Sequence, residues 1–172
     1  MTFTQREALY LPYLVAAFMK LDLPPEWGVA IARQESPFLA AAVNNSAGDA
    51  KRGGSMGLCQ MSLLTARGLG YVGQPTGLLD PVVNAALAAA LCKEIVTRLK
   101  TRDLADVASA YNSGKPFAKA PQSTRTVYVP RVLAFALAYK ERAQDAANKL
   151  SLPQPSQLDL PGVSPAAIRG GG

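Results

Sequence analysis

The stretch PEWGVAIARQESP, residues 25–37, decides how this chain is read. Pro25 suits the first turn of a helix, where no backbone amide is needed. The run Val29-Ala30-Ile31-Ala32 gives that helix an apolar body. Pro37 disfavours helical geometry at Ser36, so the helix is expected to end near Glu35, with that carboxyl facing a loop. The negative end of the helix dipole and the apolar neighbours both disfavour a carboxylate, and both would raise its pKa. A general acid that works near neutral pH needs that environment. On local sequence alone, a helix-end glutamate bonded to Arg33 or to water is the simpler reading.

Working outward, helices dominate. Thr4-Gln5-Arg6-Glu7 has the spacing of a capping box, opening a first helix that reaches about Lys20. Residues 43–56, rich in Asn, Ser and Gly, predict a loop, and a short helix is expected over roughly Gly57 to Arg67. Asp80 is the expected N-cap of a long helix from about Pro81 to Leu99. Asp103 opens another, closed at Asn112-Ser113-Gly114, and a last helix runs from about Thr126 to Lys149. Residues 1–150 are read as one domain. After Leu150, Pro153, Pro155, Pro161 and Pro165 alternate with polar residues up to Gly170-Gly171-Gly172. That tail, 151–172, cannot build a packed core, and is read as a disordered end or a tether.

Composition removes whole classes of chemistry. There is no histidine, which excludes Ser-His-Asp and Cys-His catalysis and His-ligated zinc. No metal or organic cofactor is expected. Cys59 and Cys92 are read as buried thiols, with a disulfide between them left open. The net charge of +6 favours anionic partners, or simply solubility. No aromatic–basic motif supports nucleic-acid binding. The apolar segment Leu9 to Met19 is too short for a membrane span, has no cleavage site after it, and reads as a buried first helix.

Three separated motifs carry a resemblance. They are Ala32-Arg33-Gln34-Glu35-Ser36, then Gly54-Ser55-Met56-Gly57-Leu58-Cys59-Gln60-Met61, then Ser109-Ala110-Tyr111-Asn112-Ser113-Gly114. Leu79-Asp80-Pro81 with Asn84, and Thr126 with Tyr128-Val129, add weaker support. In order and spacing, over about residues 22–140, the chain resembles the soluble lytic transglycosylases, the Slt-type branch of the lysozyme superfamily. The resemblance implies an all-α, lysozyme-like domain with a central cleft for peptidoglycan glycan strands. Two departures stand out. The loop from Asn44 to Gly53 is enlarged, and Cys59 replaces the usual methionine, an apolar but redox-sensitive change.

The resemblance assigns Glu35 as catalytic acid and base, cleaving the bond between MurNAc and GlcNAc with formation of a 1,6-anhydro sugar. Ser46 and Ser55 are both candidates for the substrate-positioning serine of the enlarged loop. Met56, Gln60, Tyr111, Asn112 and Tyr128 complete the expected substrate-binding set. Gln60 would offer its amide to a sugar. Tyr111 would stack on a sugar face and hydrogen-bond Glu35 through its hydroxyl. Tyr128 is read equally as cleft lining or core, and Trp27 as core. Asp49 is the nearby carboxyl that would favour hydrolysis if it reached the cleft. The rivals are a hydrolysing goose-type muramidase and a non-catalytic wall-gripping component. With no legible signal or anchor, the expected setting is a phage virion, or the host cytoplasm or periplasm during infection. Other virion proteins would then be partners through the tail.

Overall fold

The computed structural model describes residues 1–46, 51 and 53–150. Its framework is helical. Helix α1 spans Phe3–Lys20, α2 Pro25–Glu35, α3 Leu63–Gly68, α4 Pro81–Leu99, α5 Leu104–Ser113 and α6 Val129–Lys149. Short 3-10 turns lie at Pro75–Leu79 and Phe117–Lys119, and a single π-helical turn at Thr124–Tyr128 leads into α6. Helices α1, α2, α4 and α6 pack around one core, with α2 held chiefly against α6. Its largest fully buried side chains include Phe18, Phe38, Leu14, Ile31 and Leu58. Gly28 lets α2 approach α1 closely: a Cβ there would stand 2.5 Å from the Phe18 ring. Trp27 is core, as expected. No helix among the described residues is long and apolar enough to cross a membrane.

Local chemistry explains the boundaries. The Asp80 carboxylate accepts from the amides of Val82 and Val83, and Pro81 follows at the first helical position. Asp103 caps α5 through the Ala105 amide, and Gly114 closes it in the left-handed conformation at φ 73°.

The sequence reading needs three corrections. The capping box of α1 is Thr2 with Gln5, two residues earlier than expected. Glu7 is buried instead, for it binds Arg142 and accepts from the Tyr139 hydroxyl at 2.7 Å, tying α1 to α6. The expected loop 43–56 contains two strands of a small antiparallel sheet, β1 Val43–Asn44 and β2 Ser55–Met56; β3 is Met61–Ser62. Register pairs Val43 with Met56, and Ser55 with Ser62. The short helix begins at Leu63 rather than Gly57, because Gly57–Gln60 is spent on the turn between β2 and β3, and Ser62 caps the helix through the Thr65 amide. Cys59 therefore lies in a turn. Both cysteines are buried and free. Asp49 and the tail 151–172 lie outside the described residues.

The Glu7 pair yields a stability prediction. Burial first, then the hydrogen bond to Glu7, pushes the Tyr139 phenol from its ordinary value of 10 up to about 12. A group whose pKa rises on folding stabilises the fold below its unfolded pKa and loses that contribution as pH climbs through the folded one. Denaturant titrations of the wild type should therefore lose stability between pH 10 and 12. Tyr139→Phe should flatten part of that slope, and should cost about 2 kcal/mol at neutral pH through the lost bond to a charged group. An unchanged slope would contradict this role for Tyr139.

Candidate active site

The site begins where α2 stops. Ser36, its C-cap, is buried; its hydroxyl donates to the Leu58 carbonyl at 2.7 Å and accepts from the Leu39 amide at 3.0 Å. Phe38 follows with φ 59°, a left-handed conformation that costs an ordinary residue about 1 kcal/mol. Burial of its ring against Phe3 and, edge-on, Tyr139 offsets that cost. The chain thus turns sharply after Glu35 and leaves that carboxyl, half-buried, on a cleft wall.

The facing wall is the turn between β2 and β3. Its amide and carbonyl groups are claimed one by one. The Gly57 amide donates to the Ala42 carbonyl at 2.8 Å. Asn84 of α4, fully buried, takes the Cys59 amide on its Oδ1 at 2.8 Å and donates its Nδ2 to the Met56 and Leu78 carbonyls, each at 2.8 Å. Tyr111 of α5 donates its hydroxyl to the Cys59 carbonyl at 2.7 Å. Gln60, at φ 48°, folds its own Nε2 back onto the Ala42 and Gly57 carbonyls, at 3.3 and 3.0 Å. Its Oε1 is left for the cleft. Gly57 has to be glycine on two counts: φ is 78°, and a Cβ would stand 2.4 Å from both Asn84 Nδ2 and the Leu78 carbonyl oxygen.

Between these walls lies a cleft of about 270 Å³, lined by Glu35, Asn44, Ser55, Gln60, Met61, Ser62, Thr65, Leu91, Tyr111 and Asn112. Five of the residues expected from sequence meet there: Glu35, Ser55, Gln60, Tyr111 and Asn112. Three do not line it. Ser46 is exposed on the loop, its amide donating to Asn44 Oδ1. Met56 packs partly against the core and gives its carbonyl to Asn84. Tyr128 is buried behind Glu35, and its hydroxyl donates to Glu35 Oε1 at 2.5 Å. The bond expected from Tyr111 to Glu35 thus comes from Tyr128, because the Tyr111 hydroxyl is committed to Cys59. Sequence reasoning missed Asn44, Ser62 and Thr65, which give the cleft much of its polar lining. The Ser62 and Thr65 hydroxyls bond each other at 2.7 Å, and a serine directly before the apolar pair Leu63-Leu64 was a helix-start signal available in sequence. It also missed Asn84 as the pin of the turn.

Two phenols and two thiols near Glu35, among the described residues, stay neutral. Burial above all, then the Glu35 charge and its hydrogen bond, holds the Tyr128 phenol well above its ordinary range. Burial likewise raises Tyr111, with neighbouring Cys59 and Glu35 adding to it, and raises the Cys59 thiol, with Glu35 and Cys92 adding to it. Burial raises the Cys92 thiol as well. Among the described residues lining the cleft, Glu35 is the carboxyl. A single carboxyl with neutral hydroxyl and amide neighbours suits proton transfer to and from a polar, uncharged substrate such as a glycan.

Comparison with known proteins identifies the family. A family model described as the transglycosylase SLT domain matches residues 13–141, which takes in Glu35, the β2–β3 turn, Tyr111 and Tyr128. No match was found among curated proteins or among solved structures. The family match covers about three quarters of the chain. The chain belongs to the transglycosylase SLT domain family, with a lytic-transglycosylase type of function directed at peptidoglycan.

Proposed function

We propose that the chain is an active lytic transglycosylase in which Glu35 is both acid and base. The observation that carries this reading is the half-buried Glu35 carboxyl on the cleft wall, with the buried Tyr128 hydroxyl donating to it. Glu35 protonates the glycosidic oxygen as the bond from C1 of MurNAc to GlcNAc breaks. The C6 hydroxyl of MurNAc then forms the new bond to C1, and its proton goes to the Glu35 carboxylate. The carboxyl is regenerated, no water is consumed, and the product ends in 1,6-anhydro-MurNAc. One group serves both steps, which accords with the absence of a second carboxyl among the described lining residues. Most glycosidases pair two carboxylates, and substrate-assisted families are recognised exceptions. A donor to Glu35 favours its anion, the form that has to accept the second proton. The Gln60 Oε1 acceptor, Ser55 and Asn112 are the proposed contacts for sugar hydroxyl and N-acetyl groups. Mass spectrometry of muropeptides released from purified peptidoglycan tests the reaction. Products lighter by one water than hydrolysed ones are expected. Normal reducing ends would mean a hydrolase, and no release at any pH or salt would mean a non-catalytic wall-binding protein.

Tyr128→Phe should expose the proton inventory. Loss of the donor disfavours the Glu35 anion, so the carboxyl stays protonated to higher pH. The alkaline limb of the kcat/KM profile should move up by about one pH unit. Because burial keeps the Tyr128 phenol neutral across this range, its own ionisation does not blur the limb. A limb that stays in place would contradict the assignment of Tyr128. For setting, we read the protein as one carried in a phage particle or released inside an infected host, with the tail as its attachment. That reading rests on sequence, and persistent absence of the chain from purified particles would remove the virion version.

A further inference from the structure

Two threonines in the π-helical turn behave differently. Thr126 returns its hydroxyl to the Gln122 carbonyl at 2.9 Å, the local back-bond usual for threonine in a helix. Thr124, only 3% exposed, sends its hydroxyl across to Asn112 Oδ1 on α5 at 2.8 Å. Its carbonyl accepts the Val129 amide and so closes the wide turn. Isolated π turns are rare and cluster at functional sites. This one ends at Tyr128, whose hydroxyl holds Glu35. The Thr124 bond also fixes which end of the Asn112 amide is used up, leaving the Nδ2 donors for the cleft that Asn112 lines. Thus one buried hydroxyl ties the turn that carries Tyr128 to Asn112 on α5.

We propose that Thr124 is a positioning residue that sets Glu35, through the π turn and Tyr128, and orients the Asn112 amide toward substrate. The inference rests on the reading of Glu35 as the acid and base. Among the described residues, titratable groups facing Glu35 include Tyr128 from the π turn, Tyr111 from α5 and Cys59 from the β2–β3 turn, with Cys92 of α4 beside Cys59. Burial keeps each of these protonated, and the comparison of Thr124→Val with Thr124→Ser reads the contribution of the hydroxyl to the Glu35 titration.

The test is a carboxyl-carbon NMR titration of the full chain labelled at glutamate, with the Glu35 signal identified by its loss in Glu35→Gln. Thr124→Val keeps the shape and removes the hydroxyl. It should move the Glu35 titration up by about half a pH unit, in the direction expected for Tyr128→Phe. KM for glycan strands should rise several-fold as Asn112 loses its fixed orientation. Thr124→Ser, which keeps the hydroxyl, should restore both. A folded Thr124→Val with the wild-type Glu35 titration overturns the proposal, as does failure of Thr124→Ser to restore it. Should Thr124→Val not fold, Asn112→Ala deletes the same bond from an exposed residue, and the direction of its shift decides. The titration needs no turnover. A Glu35 shift in a protein that releases no glycan would support the positioning role while refuting the enzymatic reading.

Discussion

Glu35→Gln should lower glycan release by about a thousandfold or more, while the protein stays folded. General acid–base catalysis by one positioned group contributes about 10²–10⁴-fold, and here one group serves both halves of the reaction, so the upper part of that range is expected. Glutamine has the same size and keeps an oxygen that can accept from the Tyr128 hydroxyl. The site should therefore persist without a proton to give. Initial rates on purified peptidoglycan, with a thermal melt and a wall-pelleting assay alongside, separate lost chemistry from lost fold or lost binding. A variant that melts and binds like the wild type and still cleaves within tenfold of its rate would remove Glu35 from the reaction.

Asn84→Ala should cause the largest loss of stability. The side chain is fully buried and satisfies the Cys59 amide and the Met56 and Leu78 carbonyls. Alanine leaves those groups without partners in a place water reaches poorly, and each orphaned group costs about 1–3 kcal/mol. A total near 4 kcal/mol corresponds to a fall in Tm of roughly 10 °C for a domain of this size. The consequence for function is local. The turn pinned by Asn84 carries Gln60, and its Cys59 carbonyl holds the Tyr111 hydroxyl. Activity should therefore drop even well below the new Tm. Gly57→Ala attacks the same joint from the other side, forcing an alanine into φ 78° and against Asn84 and the Leu78 carbonyl. Differential scanning calorimetry with parallel rate measurements checks both. Melting within a degree or two of wild type for Asn84→Ala would show that the three bonds are not what holds the turn.

The helices that carry strong local punctuation were legible. Helix α4 is bounded as Asp80 and Pro81 dictate, and α5 ends where Gly114 permits a left-handed residue. The end of α2 at Glu35 follows from Pro37, and it is this boundary that puts the carboxyl on a wall. The β2–β3 turn was not legible, because its key conformation is a positive φ at Gln60, a residue type that does not advertise it. Two-residue strands are likewise too short to show alternation. The capping box had two possible registers, Thr2–Gln5 and Thr4–Glu7. The choice falls to burial of Glu7 against α6, more than a hundred residues away in sequence. The exchange of Tyr111 and Tyr128 has the same origin. Only the Tyr111 hydroxyl was expected to donate to Glu35, and the π turn with the packing of α5 gives that bond to Tyr128. Asn44, Ser62 and Thr65 escaped because short polar residues in a loop are common, and only the folded sheet gathers them onto one cleft.

The most direct test of Glu35-driven, non-hydrolytic cleavage is digestion of purified peptidoglycan in heavy-oxygen water, by the wild type and by Glu35→Gln side by side, followed by mass spectrometry of the released muropeptides. The expected result is anhydro ends carrying no heavy oxygen from the wild type, and no release by the variant. Heavy oxygen at the new reducing ends, or comparable release by Glu35→Gln, would contradict it.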